Sequence, residues 1–169
     1  YIYKRQRINL LSSKYNLENF IETGTFLGET VRFARKHFKN VFSIELSDEL
    51  YLFNKKRFSS FNNVEILHGD SSHVLKNKNL PHSSVLYWLD GHYSGGVTAL
   101  GEDFSPIINE LSAIFNKDSN KFVAIIDDVR LFKNDSNYIS LSDLETYIIE
   151  NNKDYYYDQD ALVILSMGD

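Results

Sequence analysis

Short apolar runs of four to six residues recur at 19–22, 41–46, 64–67, 84–89 and 122–126, each rich in Val, Ile, Phe or Tyr. Runs of that length and composition are what strands buried on both faces require. Helix-like stretches separate them. Residues 28–38 open on a glycine and place Val31, Ala34 and Phe38 three or four apart. Residues 48–58 begin with acids after Ser47 and finish with Lys55-Lys56-Arg57, the charge order that suits a helix dipole. After Ser105, a candidate cap, Pro106 fits a first helical position, and Ile107, Ile108, Leu111, Ile114 and Phe115 share one face. A further helix is expected to begin near Ser140 or Ser142, where Ser142-x-x-Glu145 has capping-box spacing ahead of Ile148 and Ile149.

The last segment, YYYDQDALVILSM, reads as two strands around a tight Asp-Gln-Asp turn, an antiparallel hairpin following a series of parallel units. Strand–helix repeats with right-handed crossovers give an α/β architecture, an open, mostly parallel sheet with helices on both faces. The KNKNL stretch at 76–80 is expected to be a solvated loop.

With 169 residues and no long linker, the chain is expected to form a single domain over 1–169, large enough to need no covalent staples. It has no cysteine, which excludes disulfides, thiolate metal sites and a cysteine nucleophile and favours a reducing compartment. Eighteen basic against 23 acidic residues give a net charge of −5, which argues against electrostatic capture by nucleic acid or anionic lipid. No apolar run approaches the roughly 18 residues that span a bilayer, and the start lacks a signal-peptide pattern. A cytoplasmic protein with a small-molecule substrate, without nucleic-acid or membrane partners and able to form a homodimer, is the expectation.

Ligands of open parallel sheets bind at the carboxyl ends of the strands, which singles out the residues directly after each apolar run. The first run passes into Glu22-Thr23-Gly24-Thr25-Phe26-Leu27-Gly28, a strand-to-helix turn whose two glycines let backbone approach a ligand. Glu45, followed by Leu46, closes the second run, where a carboxylate can accept hydrogen bonds from both hydroxyls of a ribose. Asp70 closes the third, in HGDSS, placed to accept from an adenine amino group while the Ser71 amide faces a ring nitrogen. Taken singly, each acid is as readily a helix cap or a solvated turn residue.

Together these positions resemble the class I S-adenosylmethionine-dependent methyltransferases. Their acidic-x-Gly-x-x-x-Gly turn is met by Glu22, Gly24 and Gly28, and their acids after the second and third strands by Glu45 and Asp70. The resemblance covers nearly the whole chain. It implies a Rossmann-like seven-stranded sheet in the order 3-2-1-4-5-7-6, ending in the antiparallel hairpin, with S-adenosylmethionine bound by Glu22, Thr23, Gly24, Thr25, Phe26, Gly28, Glu45, Leu46, Asp70, Ser71 and Asp90. A dinucleotide oxidoreductase would show G-x-G-x-x-G, and Phe26 stands two after Gly24. The Asn/Asp-Pro-Pro-Tyr/Phe motif of amino-methylating enzymes is absent; the fourth strand ends LDGH.

A second constellation follows strands four and five. Asp90, in LDGHYSGG, and Asp127 and Asp128, in IIDDVR, converge at one sheet edge, where clustered acids need protonation, a basic partner or a divalent cation. All-oxygen ligands suit Mg²⁺ or Mn²⁺. The plainer alternative has one aspartate capping a turn and another pairing with Arg130. The pattern is similar to that of catechol-type O-methyltransferases and of the sugar-modifying macrocin O-methyltransferase group, in which an Asp after strand four and an acidic pair after strand five bind Mg²⁺. That group has Asp-Gly-Asp after strand four, whereas this chain has Asp90-Gly91-His92. His92 is therefore a candidate general base or metal ligand. The wider DGHYSGG and IDD-x-R-x-F patterns also resemble a group of bacterial methyltransferase-like proteins.

Residues 93–104, with glycines at 95, 96 and 101, read as a mobile lid or a plain long loop, with Glu102 and Asp103 near its far end. Tyr93 and Arg130 are candidate substrate contacts, and Arg130 could instead neutralise Asp128. The implied activity is O-methyl transfer from S-adenosylmethionine, leaving S-adenosylhomocysteine, to a hydroxyl of a sugar, nucleotide-linked sugar or similar small polar metabolite. Asp90 and His92 are the expected catalytic residues and Asp90, Asp127 and Asp128 the metal ligands. Metal-free transfer with His92 as sole base, and a cofactor-binding module without catalysis, are the alternatives.

Overall fold

Strands β4 (Val85–Leu89) and β5 (Lys121–Ile126) form the centre of the protein, buried almost throughout because both their edges and both their faces are covered. Side chains along them alternate between two apolar clusters: Val85, Tyr87, Leu89, Phe122, Ala124 and Ile126 on one face, Leu86, Trp88, Val123 and Ile125 on the other. That two-sided demand is why these runs are continuously apolar. The structure, a computed structural model, describes residues 2–90, 106–117, 121–133 and 139–168.

The remaining elements are α1 (Ile2–Tyr15), β1 (Asn19–Thr23), α2 (Glu29–Ala34), β2 (Asn40–Glu45), α3 (Asp48–Phe58), β3 (Val64–His68), α4 (Ser71–Asn77), α5 (Pro106–Phe115), a 3-10 turn (Val129–Lys133), α6 (Leu141–Glu150), β6 (Asp154–Asp158) and β7 (Ala161–Met167). The seven strands form one sheet in the order β3-β2-β1-β4-β5-β7-β6, parallel except for β7, which runs antiparallel to both β5 and β6. This is the expected order. Helices α4, α5 and α6 supply Val74, Leu75, Leu111, Ile114, Leu144 and Ile148 to one face, and α1, α2 and α3 supply Ile8, Leu11, Val31, Ala34 and Phe58 to the other. No helix among the described residues is long and apolar enough to cross a membrane.

Local chemistry fixes the helix starts. Ser47 Oγ accepts the Leu50 amide at 3.4 Å to cap α3, and Asp70 Oδ1 accepts the His73 amide at 2.9 Å to cap α4. The start of α6 differs from the capping-box expectation. Ser140 is the cap, accepting from the Asp143 amide at 3.1 Å, and Glu145 instead accepts from the Tyr157 hydroxyl at 2.6 Å. The expected loop at 76–80 is also corrected, since Lys76 and Asn77 complete α4. The Ser105 cap falls outside the described residues.

Candidate active site

The carboxyl end of β1 carries Glu22 and Thr23, then turns through Gly24 (φ 85°), Phe26 (φ 49°) and Gly28 (φ 71°) into α2. Positive φ at three of five positions makes a tight loop that folds over the end of β2. Glu45 anchors it: one carboxylate oxygen accepts the Phe26 amide at 2.8 Å and the other the Ser47 amide at 2.9 Å. Glu45 thus ties the glycine turn to the start of α3, and each oxygen retains a second lone pair for a ligand hydroxyl. Phe26 and Leu46, on either side of it, are exposed apolar residues.

The two glycines differ. A Cβ on Gly24 would stand 3.5 Å from Asp90 Cβ, ordinary contact, so Asp90 lies directly against the turn. A Cβ on Gly28 would stand 2.5 Å from Asn54 Oδ1 and 2.6 Å from Phe58 Cε2. Gly28 therefore serves the packing of α2 against α3, and only Gly24 faces the strand ends.

Among the described residues, two further carboxyl groups are buried beside this turn. Glu22 accepts from Ser43 Oγ at 2.8 Å, and the Ser43 and Thr25 hydroxyls are 2.6 Å apart. Burial pushes Glu22 up to about 8, against the opposing hydrogen bond from Ser43. Glu110, from α5, accepts from Ser71 Oγ, and burial pushes it up to about 7. The Thr23 hydroxyl is buried beside Glu110, where with Ser71 it opposes that rise. Glu110 was not among the expected site residues. Its signal was legible, an acid three after Ile107 and four before Ile114, on the apolar stripe of α5.

A carboxyl group raised by folding binds protons in the native state that the unfolded chain has already lost, so stability falls as pH rises through the interval. For Glu110, from its usual 4.5 to about 7, the loss amounts to about 3 kcal/mol. Urea unfolding at pH 5 and pH 8 should show Glu110→Gln recovering most of that amount at pH 8. Equal pH slopes in wild type and variant would contradict the assignment.

At the third strand, Asp70 accepts from Ser72 Oγ at 2.5 Å as well as from the His73 amide, so it serves as the α4 cap. The capping arrangement engages Oδ1. None of Glu22, Glu45 and Asp70 forms an ion pair among the described residues.

Across the β1–β4 seam, Asp90 follows β4 while Asp127 and Asp128 follow β5, with the Asp127 amide donating to Leu89 O at 3.1 Å. Asp128 adopts φ 53°, a left-handed turn that aspartate tolerates better than bulkier residues. One ligand oxygen from each of the three lies within 4.8 Å of the others, and Asp127 and Asp128 are buried. Among the described residues, two cations adjoin the group. Lys4 Nζ, from α1, contacts Asp127 Oδ2 and stands 3.4 Å from Asp128 Oδ2. Arg130 lies 2.6 Å from Asp128 Oδ1 and also contacts Asp160. Burial disfavours the Lys4 ammonium, but Asp127 and then Asp128 outweigh it and hold Lys4 above the ordinary lysine range. Burial raises Asp127, opposed by Lys4.

The three carboxylates form an all-oxygen set of the kind that suits Mg²⁺ or Mn²⁺, with Lys4 seated against two of them. Sequence reasoning identified the three acids and Arg130 but not Lys4, whose approach follows from the docking of α1. His92, Tyr93, Glu102, Asp103 and the expected lid at 93–104 lie outside the described residues. Two surface cavities, of about 480 Å³ beside Tyr51, Phe58 and His68 and about 270 Å³ beside Ile108, Ile139 and Tyr147, include none of the clustered aspartates.

No protein-family model and no curated protein matches the sequence. Solved structures do match. The methyltransferase domain of bacterial CtHen1 superposes with a TM-score of 0.65 over 97% of both chains at 10% identity. A Staphylococcus aureus protein named for caffeoyl-CoA O-methyltransferase activity gives 0.62 over 98% of this chain and 83% of its own, at 17% identity. An S-adenosylmethionine-dependent methyltransferase from Clostridium acetobutylicum gives 0.64 over 98% and 91%, at 12% identity. The chain thus shares its fold with S-adenosylmethionine-dependent methyltransferases.

Proposed function

We propose that this protein is an S-adenosylmethionine-dependent O-methyltransferase, assisted by Mg²⁺ or Mn²⁺, acting on a hydroxyl of a sugar, nucleotide-linked sugar or similar small polar metabolite. The observation that carries the reading is the position of Asp90, packed against Gly24 on one side and clustered with Asp127 and Asp128 on the other. A donor turn and a site for an acceptor oxygen are adjacent, as methyl transfer between two bound molecules requires.

The residues fit the cofactor. Glu45 has carboxylate oxygens that would accept from ribose hydroxyls, Asp70 and Ser71 would meet the adenine, Leu46 and Phe26 offer apolar surface, and the acids Glu22, Glu45 and Asp70 suit a cationic donor. S-adenosylmethionine supplies an electrophilic methyl group on a sulfonium. Asp90, Asp127 and Asp128 would hold a divalent ion, whose charge lowers the pKa of a nearby hydroxyl. His92, two residues past Asp90, takes the acceptor proton, and a neutral imidazole suits that task near its ordinary pKa of about 6.5. Tyr93 and Arg130 are the proposed contacts to the acceptor.

Lys4 and Arg130 already neutralise much of the aspartate charge. That favours, as the second reading, metal-free transfer in which His92 is the sole base. Calorimetric titration of S-adenosylhomocysteine, repeated with Mg²⁺, with Mn²⁺ and after chelation, separates them. The expected result is cofactor binding in every condition together with a separate metal isotherm. Cofactor binding with no metal isotherm would select the second reading, and failure to bind the cofactor under all conditions would remove both.

A further inference from the structure

The charge balance at the aspartate cluster points to a device in α1. Lys4 is anchored to the site from the far end of the chain, 124 residues before Asp128. Its ammonium touches Asp127 Oδ2 and lies 3.4 Å from Asp128 Oδ2, while Arg130 takes Asp128 Oδ1. Both oxygens of Asp128 and one of Asp127 therefore face a cation. A divalent ion bound to oxygens this close together needs the ground the ammonium occupies, and two cations there repel strongly.

The rest of α1 is held independently of Lys4. Ile8 and Leu11 are buried in the core, and Arg7 donates from Nε to Asp158 Oδ2 at 2.6 Å and from its guanidinium to Asp158 O at 2.7 Å. Ahead of Lys4, Ile2 and Tyr3 are exposed. Lys4 can therefore leave the cluster while the helix remains docked.

We infer that Lys4 and a divalent cation are alternative occupants of the Asp90, Asp127 and Asp128 cluster, with Lys4 holding the carboxylates, and the first turn of α1 beside them, until metal displaces it. The inference rests on the metal-assisted reading above. It gives the protein a resident counter-charge that keeps the buried acids tolerable without metal and sets a threshold for metal entry.

The test uses Mn²⁺ alone. Electron paramagnetic resonance counts free Mn²⁺ in titrations of wild type, Lys4→Met, Lys4→Arg and Asp127→Asn, and mass spectrometry follows acylation of the Lys4 amine with and without the ion. Lys4→Met should bind Mn²⁺ about tenfold more tightly, within the usual range for coupled sites, while Lys4→Arg should not. Mn²⁺ should speed acylation of Lys4 severalfold and leave Lys14 and Lys36 unchanged. Unaltered affinity in Lys4→Met and unaltered Lys4 acylation, with Asp127→Asn still abolishing Mn²⁺ binding, would overturn the inference and leave the metal site standing. Absence of Mn²⁺ binding in wild type and Lys4→Met alike would overturn the metal-assisted reading, and the inference with it.

Discussion

Asp127→Asn should lower methyl transfer by about a thousandfold or more, the scale of losing a charge-stabilising group at a reaction centre. Affinity for S-adenosylhomocysteine should stay within about twofold, because Asp127 lies on the β5 side of the seam, away from Glu45 and Asp70. The amide is isosteric, and the backbone bond from residue 127 to Leu89 O does not depend on the side chain. Asp128 remains beside Lys4, so no ammonium is left without a partner. The measurement pairs steady-state transfer, on an acceptor found among sugar hydroxyls, with calorimetry of the product cofactor. His92→Ala should show the same split between binding and turnover. Undiminished turnover in either variant would end the mechanism; lost cofactor binding in Asp127→Asn would mean that the aspartates organise the donor pocket instead.

Gly28→Ala should destabilise the protein by about 3 kcal/mol, combining a left-handed backbone position with overpacking. The collision is with atoms that cannot yield. Asn54 is fully buried, and its amide nitrogen donates to Phe26 O at 2.6 Å and to Leu50 O at 2.9 Å. Phe58, the other neighbour, belongs to the core. Gly24→Ala provides the comparison: it has positive φ as well, but its new methyl group would meet nothing nearer than 3.5 Å. It should cost about 1 kcal/mol in stability. Urea midpoints with unchanged slopes would establish the difference, and equal losses in the two variants would show that backbone conformation alone sets the cost.

The parts of this fold that were legible are those whose cause is local. Strands β4 and β5 announce themselves because burial on both faces demands unbroken apolar runs, and α3 because Ser47 and its charge gradient lie within one short segment. Helix α1 gave no such sign. Its buried residues are Arg7, Ile8, Leu11 and Ser12, only two of them apolar, and the burial of Arg7 depends on Asp158, 151 residues later. The choice of Ser140 over Ser142 as a cap likewise depended on Tyr157 drawing Glu145 away across the fold.

The site divides the same way. Glu22, Glu45, Asp70, Asp90, Asp127 and Asp128 were identifiable because each follows an apolar run, and a parallel sheet gathers such positions on one edge. What each carboxylate touches was not identifiable. Glu45 holds backbone amides, Asp70 caps a helix, and Asp127 and Asp128 share Lys4. Glu110 lay in plain view on an apolar stripe, but its meaning required Ser71, 39 residues earlier, as its partner.

The pairing of β1 with β4, with Asn19 opposite Val85 and Thr23 opposite Leu89, has a metrological role. It is the one seam joining the strands that carry Glu22, Glu45 and Asp70 to those that carry the aspartate cluster. A slip of one residue there would displace Asp90 from Gly24 by about 3.3 Å and turn Tyr87 and Leu89 onto the opposite face. The alternating side chains of β4 forbid that slip, since each face is already filled to match. The alignment of the glycine turn with the aspartate cluster is thus calibrated by aliphatic and aromatic packing in the interior, and the polar groups at the edge inherit their precision from it.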